Sequence, residues 1–564
     1  MPAKYDKPIP VLLLTDFYKI FHRGCYNPKT EQLVEYLTPR MSRVKGIDYV
    51  VELWLQGVLK KYLIDKFAVT FFDRPWEEVR AEYVEYISAT FDKGIAQSEI
   101  EAFKEVHAMG YLPILIRAVP EGTRVPIGCP MIEFRCTDPR MFWLPSYLET
   151  LCSCNLWLPM TAATIADHNR SMVDEWYDKT VEDNVPRHSA AGNFSMRGMG
   201  GEEAAIMADA GHLLSFSSTA TVPTAWSLRN FYNAPLTICK GTPSLEHSVM
   251  ESYGEEHELE AFEHISTEVR PNGALSMISD TWDLWRVLTE YLPKLKGQLV
   301  KRDGRVVIRP DSGNPIDIVC GLPHAETTLE HAAEYFKQRA MQDCFELEKG
   351  SECSVSYCCE VEGEKVTCTC AVRAKEDGNF DAAVTELTSD KMSSEDKGVV
   401  RLLWELVGGT VNSKGFRVLE EHFGVIYGDA ITFDSGSGMY SRLAENGYAA
   451  NNIILGFGSF TYQYVTRDTF GFALKVTHGI VDGVETEMFK DPITDHGKHS
   501  AGKKSQKGMC IVRQDEDGTI SYTDHHTFAE SDAPGNLLRP VFKNGELLVD
   551  EDFETIRRRL HPNF

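Results

Sequence analysis

Five times along the middle of this chain, a short apolar run stops abruptly at polar or glycine residues. Leu213-Leu214-Ser215-Phe216 runs into Ser217-Ser218-Thr219, and Leu275-Ser276-Met277-Ile278 into Ser279-Asp280. Val306-Val307-Ile308 ends in Arg309-Pro310-Asp311-Ser312-Gly313. Val425-Ile426-Tyr427 gives way to Gly428-Asp429, and Ile453-Ile454-Leu455 to Gly456-Phe457-Gly458-Ser459. Consecutive apolar residues over so short a span mark strands covered on both faces, the habit of parallel sheets. Helical stretches, such as 202–210 and 283–292, lie between several of them. The alternation predicts an irregular parallel α/β barrel, and the polar residues at the strand ends predict its working face.

The flanks follow another rhythm. Residues 1–150 mix short strands (112–119, 131–134) with helices (from Trp54 onward, 76–91) and lead into a long helix over about 147–177. Near the start, Leu12-Leu13-Leu14 reads as a strand entering a helix that Asp16 caps. After about 477, short strands and turns return, closing on a basic helix at 553–560. The expected organisation is a β-rich α+β domain, 1–150 completed by 478–564, around a barrel domain, 151–477. Within the barrel domain, 321–410 breaks the pattern and reads as an insertion. Its Cys353-Ser354-Val355-Ser356-Tyr357-Cys358-Cys359 and Val366-Thr367-Cys368-Thr369-Cys370 alternate about a glycine turn, which predicts a β-hairpin, followed by an acidic polar tract at 375–397. The five hairpin cysteines lack clean paired spacing for zinc, so a plain hairpin without metal is preferred, and no residue of the chain is singled out as a firm metal ligand.

Composition narrows the partners. The 83 acidic residues against 58 Lys and Arg give a net charge of −25, with no basic stripe, which argues against nucleic acid. A small anionic substrate remains open, because a few converging cations dominate inside a pocket. No apolar run approaches the roughly 20 residues needed to cross a bilayer. The opening MPAKYDKPIP has no secretory apolar stretch, and the 14 cysteines read as reduced thiols. The expectation is a cytoplasmic protein without membrane contact.

The segment 306–315 carries the strongest chemical signal: a buried strand delivers an arginine, a carboxylate and a tight turn to one place. Arginine suits the bidentate grip of phosphate oxygens. Asp311 suits sugar hydroxyls or Mg²⁺, although an Arg–Asp pair closing a loop explains the same residues. His247 opens a helix, and Asp280 at another strand end could orient it; a structural histidine is the bland alternative. Gly428-Asp429 and Gly456 to Ser459 could cradle phosphate with backbone amides. Phe194 and Arg197, three residues apart, read either as a site or as a core aromatic beside a solvated cation.

Taken together, Thr15-Asp16-Phe17-Tyr18-Lys19, Arg40, Ala118-Val119-Pro120-Glu121-Gly122, Arg197-Gly198, Glu246-His247-Ser248, Ser279-Asp280, the 309–315 segment, Gly428-Asp429, Thr466-Arg467-Asp468 and Phe489-Lys490-Asp491-Pro492 resemble the nicotinamide phosphoribosyltransferases, type II phosphoribosyltransferases. The likeness spans nearly the whole chain outside 321–410. It implies an α/β barrel beside a β-rich domain in a head-to-tail homodimer. It implies that Phe194 and Tyr18 of the partner subunit clamp a pyridine ring, and that Arg197, His247 and Arg309 hold the diphosphate. Asp311, Gly428 and Asp429 would meet the ribonucleotide. Arg467 and Lys475, with Arg40 and Lys490 of the partner subunit, would bind the 5-phosphate, and Asp16 belongs to the same phosphate group. His247, oriented by Asp280, would be phosphorylated from ATP. Nicotinamide, phosphoribosyl pyrophosphate, ATP and Mg²⁺ are the implied ligands.

Three departures bear on this. Where the family reads Gly-Thr-Asp-Thr, the chain has Ser218-Thr219-Ala220-Thr221. Ala220 thus lacks the carboxylate that would accept from the base's amide, which keeps nicotinate or another heterocycle open, with Ser276 as partial compensation. Phe460-Thr461-Tyr462-Gln463-Tyr464 replaces a glycine loop, as in microbial and phage relatives. The 321–410 insertion is the third. A catalytically weak binding or regulatory homologue is a further alternative, against which the retention of Arg197, His247, Arg309, Asp311 and Arg467 argues.

Overall fold

The computed structural model describes residues 7–91, 94–428, 431–491 and 505–564. The chain divides into two compact units, one of 1–168, 195–240 and 461–564, the other of 169–194 and 241–460. Residues 151–168, 195–240 and 461–477, grouped with the barrel in the sequence reading, pack with the unit that holds both chain ends.

The first unit is built on a seven-stranded antiparallel sheet. Its order is Val484–Glu487, Ala473–Val481, Thr30–Thr38, Ile132–Cys136, Ile114–Ala118, Arg539–Lys543 and Glu546–Leu547, so N- and C-terminal segments interleave. The Ala118-Val119-Pro120-Glu121-Gly122 motif has a structural task here. Buried Glu121 accepts the N–H groups of Trp54 (3.1 Å) and Gln56 (2.6 Å), holding Trp54 at φ +80° where a helix begins. Gly122, at φ +84°, allows a close approach: a Cβ there would stand 2.4 Å from the Ile556 carbonyl oxygen. Two helices matter for the site, α1 (Leu144–Thr180) and α2 (Glu202–Ser215).

Two expectations fail in this unit. Val11–Leu13 is a 3-10 turn, not a strand, and the Asp16 side chain caps nothing; it accepts from Thr150 Oγ1 at 2.8 Å. The run Leu213–Phe216 is the last turn of α2 and the residue after it, with strand structure confined to Ser218–Thr219. Four apolar residues carry no period, and here the preceding helix simply continues.

The second unit holds the parallel sheet. Its strands are β1 (Ala191–Asn193), β2 (Leu275–Ile278), β3 (Val306–Arg309), β7 (Phe423–Tyr427) and β8 (Ile453–Phe457), in the order β1-β8-β7-β3-β2. Every residue of β2 and β7 is buried, as strands covered on both faces require. The sheet curls as a half-barrel, with α3 (His247–Glu251), α4 (Pro315–Cys320), α6 (Ser394–Val407) and α7 (Phe433–Glu445) among its helices. The expected α/β barrel architecture with a β-rich second region is therefore the fold.

The 321–410 segment is larger than a hairpin. Strands β4 (Glu352–Val361) and β5 (Glu364–Ala374) pair as expected, but the polar tract supplies a third antiparallel strand, β6 (Phe380–Lys391). Its outward residues are mostly polar, the composition of a guarded edge strand, so alternation could not reveal it. Tyr357, Cys359, Cys368 and Cys370 pack inward with Phe336 and Ala340 of α5 (Ala332–Asp343), giving this sheet its own small core.

Candidate active site

The second unit gathers four of the residues named from sequence. Strands β2 and β3 pair in parallel with Ile278 opposite Arg309, so their C-terminal ends deliver Asp280 and Asp311 side by side. Asp280 Oδ2 accepts the Asp311 N–H at 2.8 Å and the Ser312 hydroxyl at 2.6 Å, clasping the two strand ends together. The other oxygen, Oδ1, is buried without a hydrogen-bond partner among the described residues and faces His247 Nε2 at 3.4 Å. That separation is long for a strong hydrogen bond, and such contacts often tighten only when ligand binds.

The backbone explains why His247 arrives there. Residues 243–245 run alongside β2: Ser276 N–H donates to Pro243 O at 2.8 Å, and Leu245 N–H to Ser276 O at 3.0 Å. The chain then turns into α3 with His247 as its first residue. The same stretch presents Ser244, whose Oγ accepts from Arg309 Nη1 at 2.9 Å. The His247 ring is 41% exposed while the Asp280 carboxylate is 7% exposed. A buried acceptor beneath an open imidazole suits an oriented nucleophile or cation better than a core histidine. The Ser276 hydroxyl is also buried without a hydrogen bond among the described residues, a cost of about 1–3 kcal/mol that a ligand's polar group would relieve.

At the neighbouring strand ends, a Cβ on Gly428 would stand 3.7 Å from Asp311 Oδ1, which places the end of β7 against that carboxylate. A Cβ on Gly456 would come within 2.4 Å of Gly428 Cα, so β8 approaches β7 only as glycine. Phe194 N–H donates to Phe457 O at 2.8 Å, continuing the β1–β8 pairing one residue beyond the sheet. Asp429 lies outside the described residues.

The remaining sequence-derived residues lie in the first unit. Arg197 is exposed on the 3-10 turn Met196–Gly198. Ala220 is exposed between buried Thr219 and Thr221. Arg467 is half exposed, 3.5 Å from Asp468, and Lys490 is exposed with its N–H on Ser505 Oγ. Lys475 sits opposite Tyr36 in the sheet and belongs to a charge cluster with Arg40, Lys19, Glu35 and Glu149. Burial pushes its ammonium below the usual lysine range; Glu149 opposes this and Arg40 adds to it. Arg40 Nε donates to Gly471 O at 3.0 Å, and Lys19 pairs with Glu149. Tyr18, 52% exposed, stands in a row of open aromatics with Phe17 and Phe21.

Sequence reasoning missed Glu35 in this cluster, because one acidic residue in a strand reads as an outward side chain. It is fully buried, and burial, reinforced by the Glu149 charge, pushes its carboxyl up to about 7. Between the ordinary value of 4.5 and 7 the folded protein holds more protons than the unfolded chain, so this residue's contribution to stability falls as pH rises through that window. Glu35→Gln is therefore expected to gain on the order of 1–3 kcal/mol over the parent at pH 8 and nothing at pH 4. Denaturant midpoints at the two pH values measure this; an equal difference at both would refute it.

A cavity of about 410 Å³ in the second unit holds none of these residues. Its lining includes Glu445 to Tyr448, ahead of β8, and Arg417, ahead of β7, so it belongs to the opposite end of the strands. Much of its charge is internally paired, as in His324–Glu360 and Arg401–Glu405. Glu420, Glu421 and His422 bring ligand atoms together at that same end, before β7, and are the cluster of this kind found among the described residues.

The profile of the nicotinate phosphoribosyltransferase (NAPRTase) family matches residues 190–356 and 376–546. The unmatched gap within that span, 357–375, covers most of the β4–β5 hairpin, so the part of 321–410 foreign to the profile is narrower than the sequence reading put it. The nicotinamide phosphoribosyltransferase of Acinetobacter baylyi is 34% identical over 559 residues, covering 97% of this chain and 96% of the relative. That of Xanthomonas campestris is 28% identical over 557 residues, with 97% of each covered. The crystal structure of nicotinate-nucleotide pyrophosphorylase from Pyrococcus furiosus superposes with a TM-score of 0.52 at 12% identity, over 99% of this chain and 97% of that one, and speaks to the fold alone.

Proposed function

The chain belongs to the nicotinate phosphoribosyltransferase family, and from that premise we propose that it joins nicotinamide to the ribose of phosphoribosyl pyrophosphate, releasing diphosphate and nicotinamide mononucleotide in NAD salvage. The observation that carries the reading is the clasp at the ends of β2 and β3. One buried carboxylate, Asp280, ties Asp311 and Ser312 in place and backs an exposed histidine next to Arg309.

The chemistry asks for these groups. As the C1–O bond of the sugar breaks, positive charge develops on the ribose and negative charge on the departing diphosphate. Arg309, braced by Ser244, presents its guanidinium to diphosphate oxygens. Asp311, beside Gly428, accepts from ribose hydroxyls and holds the sugar against the incoming ring nitrogen. Phe194 supplies one face of the base clamp. Preorganised charge of this kind is usually the largest catalytic contribution. Asp311 offers the hard oxygen that Mg²⁺ prefers, and would hold it together with phosphate oxygens. Mg²⁺ bound there would supply charge neutralisation to the departing diphosphate. His247 accepts a phosphoryl group from ATP as the bond to the ADP oxygen breaks, with Asp280 steadying the charged ring.

The reading extends to a cytoplasmic homodimer in which Tyr18, Arg40 and Lys490 of the partner subunit complete the base and phosphate sites. The exposed Phe17, Tyr18 and Phe21 support this, since adjacent open aromatics are costly without a cover. No helix among the described residues is long and apolar enough to cross a membrane. Nicotinamide and nicotinate, offered in parallel with phosphoribosyl pyrophosphate, Mg²⁺ and ATP, test the assignment. Mononucleotide is expected chiefly from nicotinamide; product from nicotinate alone would transfer the activity to the acid, and absence of product from either would end the proposal.

A further inference from the structure

The cysteines of the 321–410 segment, which the proposed reaction does not use, are not equivalent. Tyr357 and Cys359 of β4 are buried in the small core against α5, and Cys353, on the same face of the strand, packs at its partly open margin. Beside it stands Cys344, the residue that ends α5, also partly open. Their two sulfurs are 3.0 Å apart. A sulfur–sulfur bond needs roughly 2.05 Å, so closing one here asks for a shift of about 1 Å.

The approach is held from both sides. The Tyr357 hydroxyl donates to Asp343 Oδ2 at 2.7 Å, and its ring stacks on Phe336 at 5.4 Å, which pins the last turn of α5 over β4. Cys344 N–H donates to Ala340 O at 3.1 Å, and Leu347 N–H to Cys344 O at 3.0 Å. Cys353 lies opposite Val372 in the β4–β5 ladder, and Ala374 N–H donates to Ser351 O at 3.0 Å, fixing the start of the strand. Cys368 and Cys370, with sulfurs 3.8 Å apart, are wholly buried and offer a contrast that an oxidant in solution does not reach. Burial, with Cys353 and Asp343 alongside, pushes the Cys344 thiol up to about 11, so it stays protonated at neutral pH. Because the thiolate is the attacking species, the first attack falls to Cys353.

We propose that Cys344 and Cys353 form an oxidant-responsive thiol pair, closed into a disulfide by hydroperoxides and reopened by dithiols. The Cys353 thiolate attacks one peroxide oxygen, the O–O bond breaks, and the departing hydroxide leaves as water with the proton that the thiol gave up. The Cys344 sulfur then attacks the resulting sulfenic sulfur. The S–O bond breaks, and that oxygen leaves as a second water with the Cys344 proton. Two electrons thus pass from two thiols to one peroxide. The new bond ties the end of α5 to β4 across the loop 345–352. In a reducing compartment it is transient, since thiol–disulfide exchange reverses it.

The test treats the full-length protein, reduced and then freed of reductant, with a small excess of hydrogen peroxide. The protein is next unfolded, alkylated and digested with trypsin without reduction. Trypsin cuts after Arg339, Lys349 and Lys365, so peptide 340–349 is expected joined to 350–365, and dithiothreitol is expected to release it. Linked peptide should exceed free 340–349 by roughly tenfold, because the fold holds the two sulfurs together. Cys368 and Cys370 should be recovered alkylated. The link is expected to vanish in Cys344→Ser and in Cys353→Ser; where serine prevents folding, alanine at the same position gives the same readout. A link that persists in Cys353→Ser would belong to Cys358 or Cys359 and overturns the assignment. So does a link between two chains, oxidation of Cys353 to its sulfinic acid without a link, or recovery of peptide 340–349 wholly alkylated.

Discussion

Replacing Arg309 with alanine is expected to lower kcat/KM for phosphoribosyl pyrophosphate by roughly 10²–10³, the cost of deleting one preorganised donor to developing negative charge. The reasoning starts from its place in the chain. Arg309 is the last residue of a strand whose other three residues are buried, so its backbone has no freedom to lose. Its carbonyl accepts the Ser279 N–H at 3.1 Å and its Nη1 donates to Ser244, fixing the head at the strand end. Truncation removes the fork without disturbing the sheet, so the thermal midpoint should move little while turnover collapses. Arg309→Lys keeps the charge and loses the planar fork, and should recover only part of the loss. Initial rates at saturating nicotinamide, with phosphoribosyl pyrophosphate varied, measure this. A loss under about fivefold with normal folding would remove Arg309 from the diphosphate site.

The prominence of Arg309 in the sequence shows where such reading succeeds. Strands of a parallel sheet are apolar on both sides, so they stand out as unbroken runs, and a cation or carboxylate directly after one has few places to go. Asp280, Arg309, Asp311 and Gly428 were found that way. His247 stood out only as a helix-opening histidine with a structural alternative, which the family likeness decided, because nothing local says that 243–245 will run beside β2.

The failures share a different cause. Leu213–Phe216 has the composition of a buried strand, and only the helix behind it decides otherwise. Strand β6 is polar because it guards an edge, so the signal used for β4 and β5 is missing there. Glu35 is an acidic residue within a regular element, where the ordinary expectation is a solvated face. Its burial depends on what packs over it, and no local pattern records that.

His247→Ala is expected to abolish stimulation by ATP altogether while leaving a slow ATP-independent reaction, because the histidine carries the coupling rather than the glycosidic chemistry. The geometry separates those roles. Arg309 and Asp311 are fixed by strand β3 and by Asp280, neither of which needs the imidazole to keep its place. His247 stands at the head of a five-residue helix, partly open to solvent and with its Nε2 facing Asp280 Oδ1. Asp280→Asn should give the intermediate result. An amide can still accept from Asp311 and Ser312 through its oxygen, but it then turns its NH₂ toward the ring, replacing an anion with a donor. An imidazolium or phosphoimidazole loses its counter-charge, and ATP stimulation should drop by at least tenfold with basal turnover nearly kept. Incubation with γ-labelled ATP provides the direct measurement: an acid-labile, base-stable label is expected on the parent protein, much less on Asp280→Asn, and none on His247→Ala. Stimulation that survives in His247→Ala, or label of equal amount on that variant, would place the phosphorylated group elsewhere and reduce the Asp280 clasp to an architectural tie between two strand ends.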